Sequence, residues 1–166
     1  MLYFKADTLI RMLRESKMLE LNSAKKIIEL LLPVFDKYRD QLVFAYLFGS
    51  AAEDRLTDIS DIDVAIYTDK VLTLHDMGLI TASLEKITQK KIDLLILNEM
   101  YKTKPVLAYD VISKGDLIFC NDSRILADFK TKVFMHYFDT KPLRDMTDKA
   151  FRKRLESGHF GERNYA

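Results

Sequence analysis

The sequence LVFAYLFGSAAEDRLTDISDIDVAI, residues 42–66, divides into two apolar strands joined by a short polar connection. The first, Leu42 to Phe48, is apolar at nearly every position, the composition of a strand covered on both faces. It ends at Gly49-Ser50, where glycine permits a tight turn into a helix N-terminus. The second strand opens with Asp61 and Asp63 on either side of Ile62. Side chains alternate along a strand, so carboxylates two apart share a face. Two negative charges held that close are costly unless a cation lies between them. Hard oxygen ligands on a rigid strand suit magnesium carrying nucleotide phosphates. Backbone NH groups, a helix dipole end and the Ser50 hydroxyl together make a phosphate seat at the Gly49-Ser50 turn.

Outward from this pair, the chain alternates helical and strand patterns. Leu2, Phe4, Leu9, Ile10, Leu13, Met18 and Leu19 have roughly helical spacing, which predicts one or two short helices over residues 2–20. Asn22 or Ser23 caps a second helix running to Arg39, with Pro33 bending it. After the Asp61 strand, Thr73 to Gln89 is a helix that crosses to a neighbouring strand, KIDLLILN at 91–98. That strand carries Asp93 near its start, where it can lie beside the first two carboxylates. Tyr101 to Ser113 is helical, broken near its start by Pro105 and ended by Gly115, and Asp116 to Cys120 is a short strand. Ser123 to Phe138 and a basic helix from Lys141-Pro142 to about Glu156 make the last third helical, and the tail SGHFGERNYA is expected to fray.

With 166 residues, 48% of them hydrophobic and 31% charged, the chain has enough material for one domain with a real core. A net charge of +1 announces no nucleic-acid or acidic-membrane partner. Neither a signal sequence nor a run approaching the ~20 apolar residues of a membrane span is present, so a cytoplasmic location is expected. The single cysteine, Cys120, excludes an internal disulfide and a thiolate zinc site and reads as a buried thiol. His75, His136 and His159 lie on different elements without ligand spacing and read as surface or packing residues.

The motifs LFGS at 47–50, SDIDVAI at 60–66 and IDLLIL at 92–97 resemble the minimal nucleotidyltransferases of the DNA polymerase beta-like superfamily. The resemblance implies that Gly49 and Ser50 contact nucleotide phosphates, that Asp61 and Asp63 hold magnesium, and that Asp93 completes one metal site. ATP would be the nucleotide donor. Where the family often writes GSRARG, this chain has Ala51 after the serine and Asp54 at the final glycine, and Arg55 is expected to supply the missing charge. The fold expected is α/β (α+β), a small mixed sheet with helices mainly on one face and helical extensions at both ends. One domain would span 1–166, with a core of about 23–120, extensions at 1–22 and 121–156 and a tail at 157–166.

The minimal members look like antitoxins encoded beside a small helical HEPN ribonuclease toxin. The resemblance implies transfer of AMP from ATP to a tyrosine of that toxin, which is the partner expected here, with no membrane or direct nucleic-acid partner. The toxin would dock on the aromatic and basic C-terminal third, at Phe129, Phe134, Tyr137, Phe138, Arg144, Lys149, Arg152 and Lys153. Two alternatives stand beside this reading: an antitoxin that neutralises by contact alone, and a transferase acting on a small hydroxylated molecule.

Overall fold

The computed structural model describes residues 23–57 and 59–158. The expectations for residues 1–22 and for the tail from His159 onward lie outside the described residues. The elements in chain order are α1 (Ala24–Asp36), β1 (Leu42–Phe48), a 3-10 turn (Gly49–Ala51), β2 (Ile62–Thr68), α2 (Leu74–Thr88), β3 (Ile92–Ile96), α3 (Met100–Thr103), α4 (Pro105–Lys114), β4 (Asp116–Cys120), α5 (Ser123–Asp139) and α6 (Lys141–Glu156). The strands form one sheet in the order β3-β2-β1-β4. β1 runs antiparallel to both β2 and β4, while β2 and β3 are parallel and are joined through α2. No helix among the described residues is long and apolar enough to cross a membrane.

Helices cover both faces of the sheet, which corrects the expectation of helices mainly on one face. Ile27, Leu31 and Phe35 of α1 and Ile80 and Leu84 of α2 pack with Leu47, Ile62, Val64 and Ile66 in one core. On the opposite face, Phe44, Tyr46 and Ala65 pack with Ala108 and Val111 of α4 and Leu126, Phe129 and Val133 of α5. This double cover explains why β1 is apolar throughout: alternate side chains enter different cores, and each faces hydrocarbon. A register irregularity between Leu42 and Phe44 sends the consecutive Val43 and Phe44 into the same core, so strict alternation is lost at the strand's start.

Local chemistry sets the ends of the elements. α2 begins with a capping box, in which Thr73 Oγ1 accepts from the Asp76 NH while the Asp76 carboxylate accepts from the Thr73 NH. Pro105 occupies the first turn of α4, where its missing NH costs nothing. α1 follows a different rule from the one expected. Ser23 is its N-cap but makes no side-chain cap bond. The Ala24 NH instead donates to Asp54 Oδ1 at 2.8 Å, from a loop thirty residues away. Asp54 adopts φ 53, a left-handed conformation that Asp tolerates better than most residues. Asp54→Ala should therefore cost about 1–2 kcal/mol, through the lost cap and the strain at positive φ. Asp54→Gly should cost less because it removes only the cap. Urea unfolding of the two variants checks the order.

Cys120 ends the edge strand β4 and is half-buried rather than fully enclosed. His136 packs its ring 5.0 Å from that of Tyr101, as a packing residue should.

Candidate active site

Three strand ends converge on the carboxylates. β1 finishes where β2 begins, so Phe48 lies in register with Asp63. The start of β3 lies beside that of β2, which sets Asp63 in register with Asp93. Residues opposite one another in neighbouring strands share a face, and Asp61, two residues before Asp63, shares it too. It is the face on which α3, α4 and α5 pack, at the margin their helices leave uncovered. Asp61 and Asp63 are half-buried and Asp93 is exposed, so the cluster opens to solvent.

Gly49 turns the chain directly under Asp63. It has φ +68, and a Cβ built on it would run into the Asp63 carboxylate. A side chain here is strained by the backbone conformation and would push the Asp63 carboxylate out of place. The following segment is a single 3-10 turn, Gly49–Ala51, rather than the longer helix expected. Three residues align too few peptide dipoles to make a strong anion site, so the turn's contribution is its NH groups and the half-buried Ser50 hydroxyl. Ala51 is 1% exposed and belongs to the α1 core, which gives the departure from the family pattern a packing reason.

The electrostatics follow from this crowding. The Asp63 carboxyl is held above the usual carboxylate range by burial, and further by the neighbouring charges of Asp93 and Asp61. Asp61 relieves its share of the repulsion by taking Lys91, whose Nζ lies 3.1 Å from Asp61 Oδ2. This contact in turn raises the lysine's pKa. As the side chains stand, the described residues contain no gathered group of three His, Cys, Asp or Glu in metal-holding geometry. The donor set is nonetheless one that a divalent cation suits. It consists of carboxylate oxygens on rigid strand starts, with mutual repulsion that a cation would relieve and a glycine that leaves room for Asp63.

Arg55 does not reach this cluster: its guanidinium pairs with the Glu53 carboxylate and its side chain is largely exposed. The cation on the carboxylates is Lys91, which belongs to none of the motifs that single out the site in the sequence. Its signal was present as the pair Lys90-Lys91 immediately before the strand of Asp93.

Residues 25–124 match the family Polymerase beta, Nucleotidyltransferase, and the chain belongs to that family. No curated protein matches it in sequence. Among solved structures it is similar to a chain of a toxin-antitoxin complex with AMP-PNP, with 19% identity and TM-score 0.64, over 75% of this chain and 98% of that one. It is also similar to a chain of the tri-AMPylated Shewanella oneidensis HEPN toxin in complex with MNT antitoxin, with 17% identity and TM-score 0.60 over 78% and 98% of the two chains. A third likeness is to a chain of the toxin-antitoxin MntA-HepT, with 18% identity and TM-score 0.59 over 77% and 98%. At these identities the likeness is one of fold.

Proposed function

We propose that this chain is an antitoxin nucleotidyltransferase that transfers AMP from ATP to a tyrosine of a HEPN-type toxin. The observation that carries the proposal is the register that sets Asp63 beside Asp93, with Asp61 two residues before it, at adjoining strand ends where Asp63 lies over Gly49. The toxin-antitoxin complexes of the same fold, one with AMP-PNP and one with a tri-AMPylated toxin, support the choice of donor and acceptor.

In this reading Asp61 and Asp63 hold magnesium, with Asp93 completing one site. When bound, the metal neutralises the charge that develops on the triphosphate and aligns an in-line displacement at the α-phosphorus. Ser50 and the backbone NH groups of its turn hold the outer phosphates. Asp93, the most open of the three carboxylates, orients the incoming phenolic hydroxyl. A bond forms between the phenolic oxygen and the α-phosphorus while the phenolic proton passes to the Asp93 carboxylate and on to solvent, the bond from the α-phosphorus to the bridging oxygen breaks, and pyrophosphate leaves.

The acceptor is placed on a separate protein because the C-terminal helix offers a surface for one. α6 buries none of its residues. It exposes Leu143, Met146 and Leu155 beside Lys149, Arg152 and Lys153, the mixture of apolar and basic groups that suits an interface with an acidic rim. Three residues expected there serve other ends, among them Tyr137, whose ring stacks on that of Tyr109 at 3.8 Å. Phe129 is 2% exposed and belongs to the α4–α5 core. Arg144 sits 4.4 Å over the Tyr137 ring and fixes the α5–α6 corner. Incubating the chain and its partner with α-labelled ATP should transfer label to the partner in magnesium and none in EDTA. Equal labelling in EDTA would remove the metal-dependent transferase reading.

A further inference from the structure

The cluster of like charges at the strand ends contains one opposite charge, and its placement is built into the fold. Lys91 lies at the junction between α2 and β3. Its carbonyl accepts the Ile62 NH at 2.9 Å, which ties its backbone to the segment between Asp61 and Asp63. Its Nζ reaches the Asp61 carboxylate at 3.1 Å through a side chain that is 73% exposed. The other nearby cations are committed elsewhere: Lys90 Nζ donates to the Thr57 carbonyl at 2.7 Å, and Arg55 pairs with Glu53. Ala51, enclosed in the core, brings no charge to the turn.

We infer that Lys91 is the resident cation of this site: its ammonium balances Asp61 in the nucleotide-free chain and moves to a phosphate of the nucleotide once a divalent ion takes Asp61. The inference rests on the nucleotidyltransferase reading and adds to it a positioning residue on the strand side of the site. The backbone tie fixes where Lys91 starts, while a flexible four-carbon stem lets its head group exchange one anion for another. An exposed pair of this kind is weak, so exchange costs little. A phosphate with several charged oxygens competes well for the freed ammonium.

The two halves of this role have opposite signs, which separates them from a merely structural contribution. With Mn2+ alone as probe, Lys91→Gln should bind the ion about threefold tighter than wild type, because the competitor for Asp61 is gone. With Mg-ATP the same variant should show KM raised about tenfold and kcat changed far less, as for one lost bond to a charged group. Lys91→Arg should restore KM toward wild type. Unchanged or weaker Mn2+ binding in Lys91→Gln, or an unchanged KM, overturns the inference. So does Lys90→Gln reproducing both changes, since the effect would then belong to the general charge of the junction. If wild type itself binds neither Mn2+ nor Mg-ATP, the nucleotidyltransferase reading falls. Wild-type binding with unaltered Lys91→Gln affinities removes only the lysine's role.

Discussion

Asp63→Asn is expected to reduce adenylate transfer by ~10² to 10⁴ and at the same time to raise the thermal stability of the metal-free chain. The loss follows from the position of Asp63 at the centre of the three strand ends, between Phe48 and Asp93 in register and over Gly49. The gain follows from the same crowding. The Asp63 carboxyl has its pKa raised by burial and by Asp93 and Asp61, so the folded chain holds this proton more tightly than the unfolded chain. Such a group contributes stability below its unfolded pKa, and that contribution is lost as pH rises through the folded pKa. Above its folded pKa the wild-type Asp63 therefore carries a charge that the fold disfavours, and asparagine removes it without changing the shape. The variant's advantage in melting temperature should be small in acid, grow as pH rises through the folded pKa, and then level off. Added magnesium should narrow it by stabilising wild type alone. A variant that is both inactive and less stable at neutral pH would mean that Asp63 is a structural residue, and the charge-crowding account would fail.

The second large effect concerns the partner. Under the proposed function, co-expression of this chain with a HEPN-type toxin should yield toxin whose intact mass is increased by one or more adenylate groups, and Asp61→Asn should abolish the increase. Asp61 is the informative position because it is half-buried at the mouth of the site and carries the contact with Lys91, so its loss spares the core. Charge reversal on α6, at Lys149, Arg152 and Lys153 together, should weaken the complex by more than tenfold while leaving the melting temperature of this chain nearly unchanged. That helix buries none of its side chains, so the substitutions remove no packing and act only on the proposed interface. If the toxin is neutralised with its mass unchanged, and Asp61→Asn neutralises it equally well, contact alone is the mechanism. If label appears only on this chain, the acceptor was misassigned although the chemistry stands.

Much of the architecture was legible in the residues themselves. The apolar run of β1, the Asp61-Ile62-Asp63 alternation, the α2 crossover and the boundaries of β4 all came from local pattern, because strand alternation and helix capping act within a few residues. The grouping of the site was legible for the same reason: Gly49, Ser50, Asp61 and Asp63 lie within one hairpin-like unit, and Asp93 opens the strand that a crossover helix places beside it.

Tertiary structure decided what depends on residues far apart in the chain. Both faces of the sheet carry helices because α3, α4 and α5 return to the side opposite α1 and α2, which periodicity within a single helix cannot reveal. Asp54 caps α1 across thirty residues of sequence, so this deviation from the family pattern carries a structural bond. Phe129, read as interface from its type, is core because Phe44 and Tyr67 lie against it, with ring centroids 5.6 and 5.2 Å away. Lys91 replaces Arg55 as the cation of the cluster because the β2–β3 pairing brings its backbone to Ile62, whereas Arg55 is nearer in sequence but faces Glu53. The sequence by itself determined which residues carry charge and which face of each strand they occupy. Only the fold decided which charges meet, because electrostatic partners are chosen by distance in space.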